Sequence, residues 1–307
     1  MKTRLRRAAL LSSVLFLPPV PKVFNEFFSV FAQYLIPKHA LTVFAGKVAN
    51  AESGRITTLI IRWFIRRYGV NMEEAADPDI NNYRTFNEFF TRALRLEKRP
   101  ISEADYVCPA DGFVSQVGVI GGNQILQAKG HNYSTIALVG GDEGLASRFY
   151  NGHFATVYLS PSDYHRVHMP CAGRLTSMTY IPGTLFSVNP ATARGVPGLF
   201  ARNERVVCVF ESEGKPFVMA LVGATIVGSI ATVWHGTINL RHSGSVQEWR
   251  YDKQILTLKK GDEMGRFQLG STVIMLFPKS SMIFNKAWVP AQAVRLGEMM
   301  ATTTPET

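Results

Sequence analysis

The chain has 307 residues, a length that suits one large domain or two moderate ones around a buried core. A hydrophobic content of 46% with 18% charged residues excludes an intrinsically disordered chain. No run of 18 or more uncharged apolar residues occurs, which argues against a transmembrane helix. The three cysteines, Cys108, Cys171 and Cys208, are odd in number and lack metal-type spacing. We therefore expect buried thiols in a reducing compartment.

The formal charge of +10 is concentrated near the N-terminus. Residues 1–70 carry eleven Lys or Arg side chains and two acidic ones, and so hold +9 of that charge. Such asymmetry indicates an anionic partner, either nucleic acid or lipid headgroups. Large apolar and aromatic residues stand between the charges, and this interleaving favours a membrane surface over nucleic acid.

Residues 1–22 are interpreted as a leader of uncertain role. Four basic residues precede an uncharged apolar run at 8–21 that contains three prolines. This arrangement has the basic and apolar parts of a secretory signal, but no small-x-small cleavage site follows. We expect a leader that contacts the membrane, or an incorrectly assigned start, rather than a cleaved signal.

The region 23–100 is predicted to be helical and to associate with membranes. In the first helix, apolar residues recur at positions 24, 27, 28, 31 and 35, and Pro37 ends it. A second segment covers 41–51, and a third helix covers Arg55–Tyr68 with Gly69 as its stop. The third helix has an apolar face flanked by arginines: Ile56, Leu59, Ile60, Trp63 and Phe64, with Arg55, Arg62 and Arg66 beside them. Such a helix suits the lipid interface, although packing on the protein's own core is the alternative for any single helix.

A fourth helix is predicted from a capping box at Thr85 and Glu88 through Leu94. After Pro100 the chain consists of short β-branched runs broken by Gly, Pro and Asn, which predict strands. Strands are expected at 112–120, 155–159, 205–210, 218–222, 225–234 and Ser271–Phe277. The predicted fold is α+β: N-terminal amphipathic helices, then a β-rich catalytic domain over 101–297, and a loose tail at 298–307.

Reactive side chains are concentrated at three places. Asp111 lies in a turn just before a predicted strand, where an Asp-Gly pair is also a common turn former. The block 158–170, at the end of an apolar strand, holds two histidines, His165 and His168, together with tyrosines, an aspartate and an arginine. Ser271 follows a glycine at the start of a predicted strand, and an ordinary turn is the alternative there.

The spacing of His165 and His168 would suit two metal ligands on a helix. No cysteine pair and no H-E-x-x-H pattern accompanies them, so we expect no metal site. Asp111, His168 and Ser271 could instead form an acid–base–nucleophile set. A serine hydrolase is the first interpretation of that set, but the sequence has no G-x-S-x-G elbow and no βαβ alternation. A non-catalytic lipid-binding module is a third possibility.

Several ordered blocks of sequence carry a family resemblance. They are QYLIPK at 33–38, YRTFNEFF at 83–90, PADG at 109–112, QAKGHNYS at 127–134, the block 158–170, FARNERV at 200–206, LVGATIVGS at 221–229, and GRF at 265–267 followed by LGSTVI at 269–274. Through them, over about residues 30–280, the chain resembles the bacterial phosphatidylserine decarboxylases. The Leu-Gly-Ser-Thr block is the most specific, and residues 1–22 fall outside the resemblance.

The resemblance implies that the chain cleaves itself between Gly270 and Ser271, with His168 as the base and Asp111 orienting it. Ser271 would become a covalent pyruvoyl group, which forms a Schiff base with phosphatidylserine and releases CO₂ to give phosphatidylethanolamine. His165 would meet the substrate and assist decarboxylation. Tyr158 lies in the same block as the two histidines, so we expect its side chain to line the substrate site, with a structural role for its phenol as the alternative.

The resemblance also implies antiparallel sheets in the catalytic domain and a dimeric assembly. With the charge pattern, it leads us to expect a peripheral protein on the cytoplasmic face of the cell membrane. The expected partners are phosphatidylserine and an anionic membrane surface, and no nucleic acid.

Overall fold

A computed structural model of the protein describes residues 30–304, except 32, 36, 129, 226–228, 239–243 and 269–270. The expected leader and the aromatic positions 24, 27 and 28 of the first predicted helix lie outside the described residues. Of that helix, residues 30, 31 and 33–35 are described and are helical.

The longer helices lie in the N-terminal part of the chain. They are α1 (Lys38–Ala49) and α2 (Arg55–Tyr68), and shorter ones follow: α3 (Phe86–Phe90), α4 (Thr135–Leu138), α5 (Glu143–Ser147), α6 (Pro190–Gly195) and α7 (Leu199–Arg202), with 3-10 turns at Met72–Glu74 and Leu96–Lys98. The predicted bounds of α2 are confirmed, because Gly69 adopts the left-handed conformation (φ 69°) that ends it. The Thr85 cap of α3 is also confirmed, since its side chain accepts a hydrogen bond from the Glu88 N–H at 3.0 Å. However, α3 ends at Phe90, short of the predicted Leu94.

Strands make up most of the chain after residue 105. In order they are β1 (Tyr106–Val107), β2 (Gly112–Val119), β3 (Gln124–Ala128), β4 (His131–Ser134), β5 (His153–Leu159), β6 (Arg166–His168), β7 (Gly173–Ile181), β8 (Arg205–Ser212), β9 (Lys215–Val222), β10 (Ile230–Thr232), β11 (Gly236–Ile238), β12 (Gln247–Arg250), β13 (Thr257–Leu258), β14 (Glu263–Phe267), β15 (Ser271–Phe277), β16 (Met282–Phe284), β17 (Ala293–Val294) and β18 (Met299–Thr303). The predicted bounds of β15 are confirmed.

One large antiparallel sheet organises the catalytic region, in the order β12-β7-β8-β9-β15-β5-β2-β17, with β13 also paired to β7. A second sheet has the order β11-β10-β14-β6, a third the order β1-β18-β16, and β3 pairs with β4. The pairings between these strands are all antiparallel. The α+β class and the antiparallel sheets are therefore confirmed.

The large sheet is covered on both faces, and β15 runs through its middle, so every residue of β15 is buried. Successive side chains of a strand point to opposite faces. Val273 and Met275 accordingly lie in one apolar cluster, the first core, and Ile274 and Leu276 lie in another, the second core. Because Ser271 has the same parity as Val273, its side chain belongs on the face of the first core.

A third apolar cluster joins the N-terminal helices to one another. The ring of Phe64 in α2 packs edge-on against Phe86, Phe89 and Phe90 of α3, with centroid distances of 5.1, 6.0 and 5.9 Å. Ile61 is fully buried in the same cluster. This face of α2 therefore packs on the protein itself, as the alternative interpretation of the helix required.

The prediction of a loose tail at 298–307 is wrong for the part that the structure describes. Residues 299–303 form β18, which pairs with β1 and β16. Met300 and Ala301 are fully buried in the first core. The strand lies there because its backbone is hydrogen-bonded between two partners that are distant in sequence, which short-range patterns do not reveal.

The burial of β18 leads to a stability prediction. Met300→Ala should lower the free energy of unfolding by about 2–4 kcal/mol, because it leaves a cavity in the core. Met299→Ala is the matched control: this side chain is 39% exposed, and the expected loss is below about 0.5 kcal/mol. Urea unfolding measures both, in a Ser271→Ala background so that the self-cleavage expected from the family resemblance does not enter. Equal losses in the two variants would contradict the assignment of β18 to the core.

Candidate active site

Ser271 begins the central strand, at one end of the large sheet. It pairs in register with Leu159, the last residue of β5, and its side chain is fully buried. Within the described part of the chain, its Oγ has no hydrogen-bond partner. A buried hydroxyl without a partner is costly, which makes it a candidate for a reactive role. Gly270, the other residue of the expected cleavage bond, lies outside the described residues.

His165 is fully buried and faces α3. Its ring lies 4.0 Å from the ring of Phe90, and its Nδ1 donates to the carbonyl of Asp163 at 2.8 Å. Because a carbonyl only accepts, this bond fixes the proton on Nδ1. Nε2 is then an unprotonated acceptor, and among the described residues it has no partner. Burial lowers the pKa of His165 to about 3, so the ring is neutral at physiological pH.

His168 is held by two hydrogen bonds at the end of β6. Its Nδ1 donates to the carbonyl of Gly261 at 2.8 Å, which fixes the same tautomer as in His165. Its Nε2 lies 3.2 Å from the hydroxyl of Tyr164, which therefore donates to it. Burial lowers the pKa of His168, although the bond to Gly261 opposes that shift. Burial also raises the pKa of Tyr164 to about 12, so the phenol keeps its proton.

Asp111 is buried and engaged in a cation–carboxylate network. Its two oxygens accept from Arg99 Nε at 2.9 and 3.1 Å and from Arg99 Nη2 at 2.5 Å. The backbone N–H of Leu296 donates to it at 2.9 Å. Arg99 also binds Glu74 at 2.7 Å. Burial opposes the charge of Arg99, but the two carboxylates outweigh it and raise its pKa. This network fixes the position of the Asp111 carboxylate.

The structure brings the Asp111 segment and His168 together through the backbone, since the His168 N–H donates to the carbonyl of Pro109 at 2.8 Å. The side chains form different bonds: those of the carboxylate go to Arg99 and Leu296, and those of the imidazole go to Gly261 and Tyr164. A hydrogen bond from Asp111 that orients His168 would require these side chains to change partners, and it stays a prediction.

Tyr158 lies on the other face of the sheet from the Ser271 side chain. It pairs in register with Thr272, the neighbour of Ser271, and packs against the second core. It lines a largely apolar cavity of about 490 Å³, together with Phe113, Gln127 and Val188. Its role at the substrate site stays a prediction. If it has one, Tyr158 would contact the substrate from the wall of this cavity.

A second cavity, of about 290 Å³ and polar in lining, adjoins the candidate residues. Asp111, Asp163 and Tyr164 line it, together with Arg92 and Arg99. Asp163 is the carbonyl partner of His165, and Tyr164 is the hydroxyl partner of His168. This polar cavity therefore lies beside the groups that hold both histidines.

Several residues of this site were not predicted from the sequence. Arg99 and Gly261 contact the predicted residues and Glu74 binds Arg99, yet nothing in their local sequence distinguishes them from surface charges and turn glycines. Tyr164 lay in the block 158–170, and the high density of polar side chains in that block was the only sequence signal for it. Phe90 was predicted as part of a helix but not as the ring against His165.

Chemically, the site combines a buried hydroxyl, unpaired within the part of the chain that the structure describes, with two neutral imidazoles, each presenting Nε2 as its acceptor. Neutral imidazoles of this tautomer can take a proton from a hydroxyl, and they can return it later. No group of three or more His, Cys, Asp or Glu side chains in the described ranges is arranged to hold a metal ion. All three cysteines are free and buried.

Comparison with known proteins defines the class to which this fold and site belong. The sequence model of the phosphatidylserine decarboxylase family matches residues 86–302, and a second model, described as PSD, matches residues 28–69. A protein named phosphatidylserine decarboxylase proenzyme from Nitrosospira multiformis is 70% identical over 277 residues, which cover 89% of this chain and 96% of that protein. A protein of the same name from Dechloromonas aromatica is 66% identical over 274 residues, covering 89% and 97%.

These matches, together with the buried serine and histidines, place the chain among the decarboxylase enzymes. The chain belongs to the phosphatidylserine decarboxylase family. The family predicted from the sequence blocks is thus confirmed.

The buried neutral His165 leads to a prediction on pH dependence. Its pKa falls from 6.5 to about 3 on folding, so below about pH 6.5 the unfolded chain binds a proton that the folded chain does not. The contribution of His165 to the free energy of unfolding is therefore highest above that pH and decreases as the pH falls. Between about pH 6 and pH 4 the loss from this residue is at most about 1.4 kcal/mol per pH unit.

His165→Gln should make the fall in unfolding free energy over that pH range shallower than in the parent. Urea titrations at several pH values, in the Ser271→Ala background for both proteins, measure the two slopes. Identical slopes would mean that His165 is not held neutral by burial.

Proposed function

We propose that this chain is a phosphatidylserine decarboxylase that cleaves itself at Gly270–Ser271 and uses a pyruvoyl group made from Ser271. The observation that carries the proposal is the Ser271 hydroxyl, buried and without a partner in the described residues, at the first position of the central strand. The relatives' name, proenzyme, supports a maturation step of this kind.

In the cleavage step, Ser271 Oγ attacks the carbonyl carbon of Gly270 as its proton passes to a base, and the peptide bond becomes an ester. Elimination then breaks the Cβ–O bond, releases the Gly270 carboxylate and leaves dehydroalanine at position 271. Water replaces its nitrogen, ammonia leaves, and a pyruvoyl group results. The products are chains of residues 1–270 and 271–307, which the sheet holds together through β15.

The neutral histidines suit the proton transfers of this scheme. We assign the base of self-cleavage to His168, which would exchange its bond with Tyr164 for one with the attacking hydroxyl. The Asp111 carboxylate, held in place by Arg99, would supply a fixed negative charge near His168. The open Nε2 of His165 supports the role assigned to that residue, which is to move a proton at the substrate.

The residues present fit a pyruvoyl group, because Ser271 is the precursor and lies in a dry environment. When formed, this group supplies a ketone that condenses with the substrate amine and takes up the electron pair left by departing CO₂. His165 would hold or deliver a proton at the substrate, while the Phe90 side chain excludes water from the His165 imidazole.

A membrane-facing role for α2 is the second part of the proposal. Its apolar residues away from the third cluster are exposed: Ile56 by 62%, Leu59 by 58% and Trp63 by 58%. Arg62, Arg66 and Arg67 line the same groove as Leu59 and Trp63. Apolar side chains flanked by arginines suit the headgroup region of an anionic bilayer. Within the described residues, no helix is long and apolar enough to cross a bilayer.

This surface supports attachment to a bilayer from one side, and the cytoplasmic face of the cell membrane belongs to the proposal only through the charge pattern and the family resemblance. The exposed apolar residues of α1, including Phe44 at 66%, extend the apolar area. Assembly as a dimer belongs to the proposal through the family resemblance alone.

Ser271→Ala should leave an uncut chain of 307 residues without decarboxylase activity, because it removes the only nucleophile of the scheme. Mass analysis under denaturing conditions measures the cut, and CO₂ release measures the activity. Ser102→Ala, in a turn of the N-terminal part of the β-rich region, is the matched control and should be cut like the parent. Normal cutting of the Ser271 variant would refute this choice of nucleophile. A serine hydrolase would instead show a single chain that a fluorophosphonate labels at Ser271.

Replacing Arg62 and Arg66 by Gln should weaken binding to vesicles that contain phosphatidylglycerol by about 10- to 30-fold, since each basic residue near an anionic surface contributes about 1 kcal/mol. Vesicle sedimentation measures the binding. The control pair, Arg148 and Arg250 replaced by Gln, removes the same charge elsewhere on the surface and should bind like the parent. Equal loss in both pairs would show that net charge alone, and not this face of α2, governs attachment.

A further inference from the structure

Arg92 is an unusual residue of the polar cavity described above. It is only 5% exposed, yet it forms no ion pair with any carboxylate that the structure describes. The neighbouring carboxylates are paired with Arg99 instead. Its Nη2 reaches the carbonyl of Ser162 at 3.5 Å, and its guanidinium lies 5.3 Å from the Phe89 ring. Its Nε has no partner among the residues that the structure describes. A buried cation left in this condition is costly unless a ligand supplies the missing acceptors.

The acidic groups around Arg92 are bound to other donors. Asp111 and Glu74 are paired with Arg99. Asp163 accepts the backbone N–H of Ser160 at 2.7 Å, and burial raises its pKa, which weakens it further as a counter-ion. The guanidinium of Arg92, which lines the cavity, therefore has no carboxylate partner among the described residues, and its Nε has no partner of any kind there.

The cavity adjoins the reacting groups of the proposed function. Two residues of its wall, Asp163 and Tyr164, are the hydrogen-bond partners of His165 and His168. Ser271 pairs with Leu159, which immediately precedes the loop that carries these wall residues. A ligand held by Arg92 would thus lie beside the end of β15.

We propose that Arg92 binds the phosphodiester of the substrate headgroup in this cavity. The inference rests on the proposed function and deepens it by assigning the binding site of one substrate group. A guanidinium presents donors in a planar fork that matches two phosphate oxygens. The cavity, at about 290 Å³, has room for a headgroup.

The phosphodiester fits this role better than the substrate's other anionic group, the carboxylate. An arginine on the carboxylate would stabilise the charge that the reaction must discharge as CO₂, and so would raise the barrier. The phosphodiester keeps its charge throughout, so its contact with Arg92 is equally strong in the ground state and the transition state. Losing that contact should raise KM and leave kcat nearly unchanged.

The test uses the self-cleaved full-length protein and two water-soluble substrates, dihexanoyl phosphatidylserine and its neutral methyl phosphotriester, both below their micelle concentrations. The parent should show a KM about 10- to 100-fold lower for the diester, as expected for a hydrogen-bonded charge pair. Arg92→Gln should abolish this preference by raising the KM of the diester alone. Arg92→Lys should restore part of it, and the control Arg148→Gln should match the parent.

Rates are normalised to the amount of the 271–307 chain, so that folding or processing losses do not enter the comparison. The assignment is overturned if Arg92→Gln retains the parent's preference, or if kcat falls while KM stays constant. It is also overturned if neither Arg92 variant is cleaved, because the residue then serves folding or maturation. An uncut parent protein would instead contradict the proposed function itself.

Discussion

The exclusion of water from the start of β15 is the constraint on which the site depends. Ser271 and His165 are both fully buried there, and the ring of Phe90 covers the imidazole. In water both side chains would be satisfied by solvent, and the histidine would titrate near neutrality. In this environment the imidazole stays neutral, and none of the described residues is bonded to its Nε2. The same burial raises the pKa of Tyr164, which keeps a proton available beside His168.

The N-terminal helices maintain this dry environment. Phe64 of α2 packs on Phe90 of α3, and Phe90 packs on His165. The buried face of α2 therefore supports the catalytic region, while its opposite face exposes Trp63 and the arginines. One helix thus has two faces with different contacts: its inner face shields the site, and its outer face would contact the lipid surface in the proposed attachment.

The sequence predicted those features whose signal lies within one helix or strand, and it missed those that depend on contacts between distant parts of the chain. The bounds of α2 and β15 followed from periodicity, a terminal glycine and β-branched residues, all within one element. The strand at 299–303 was missed because its stability comes from pairing with β1 and β16, which are remote in sequence. The pairing of Arg99 with Asp111 was missed for the same reason, since a charge reveals its partner only after folding.

The site residues show the same contrast. Asp111, His165, His168 and Ser271 were chosen as candidates through residue type and sequence blocks, but the blocks did not reveal which atoms meet. The structure adds that Tyr164 occupies His168 Nε2, while His165 Nε2 has no partner among the described residues. It adds also that Tyr158 faces the second core, a consequence of strand alternation that depends on the register with Thr272.

The account's central claim is that the peptide bond before Ser271 is cut and that Ser271 itself is converted into a reactive ketone. The most direct measurement is denaturing mass spectrometry of the purified, active parent protein after treatment with a hydrazide reagent. The account predicts two chains, 1–270 and 271–307, with the hydrazide attached to the N-terminus of the smaller one. An active protein that remains a single chain, with an unmodified serine at position 271, would contradict it.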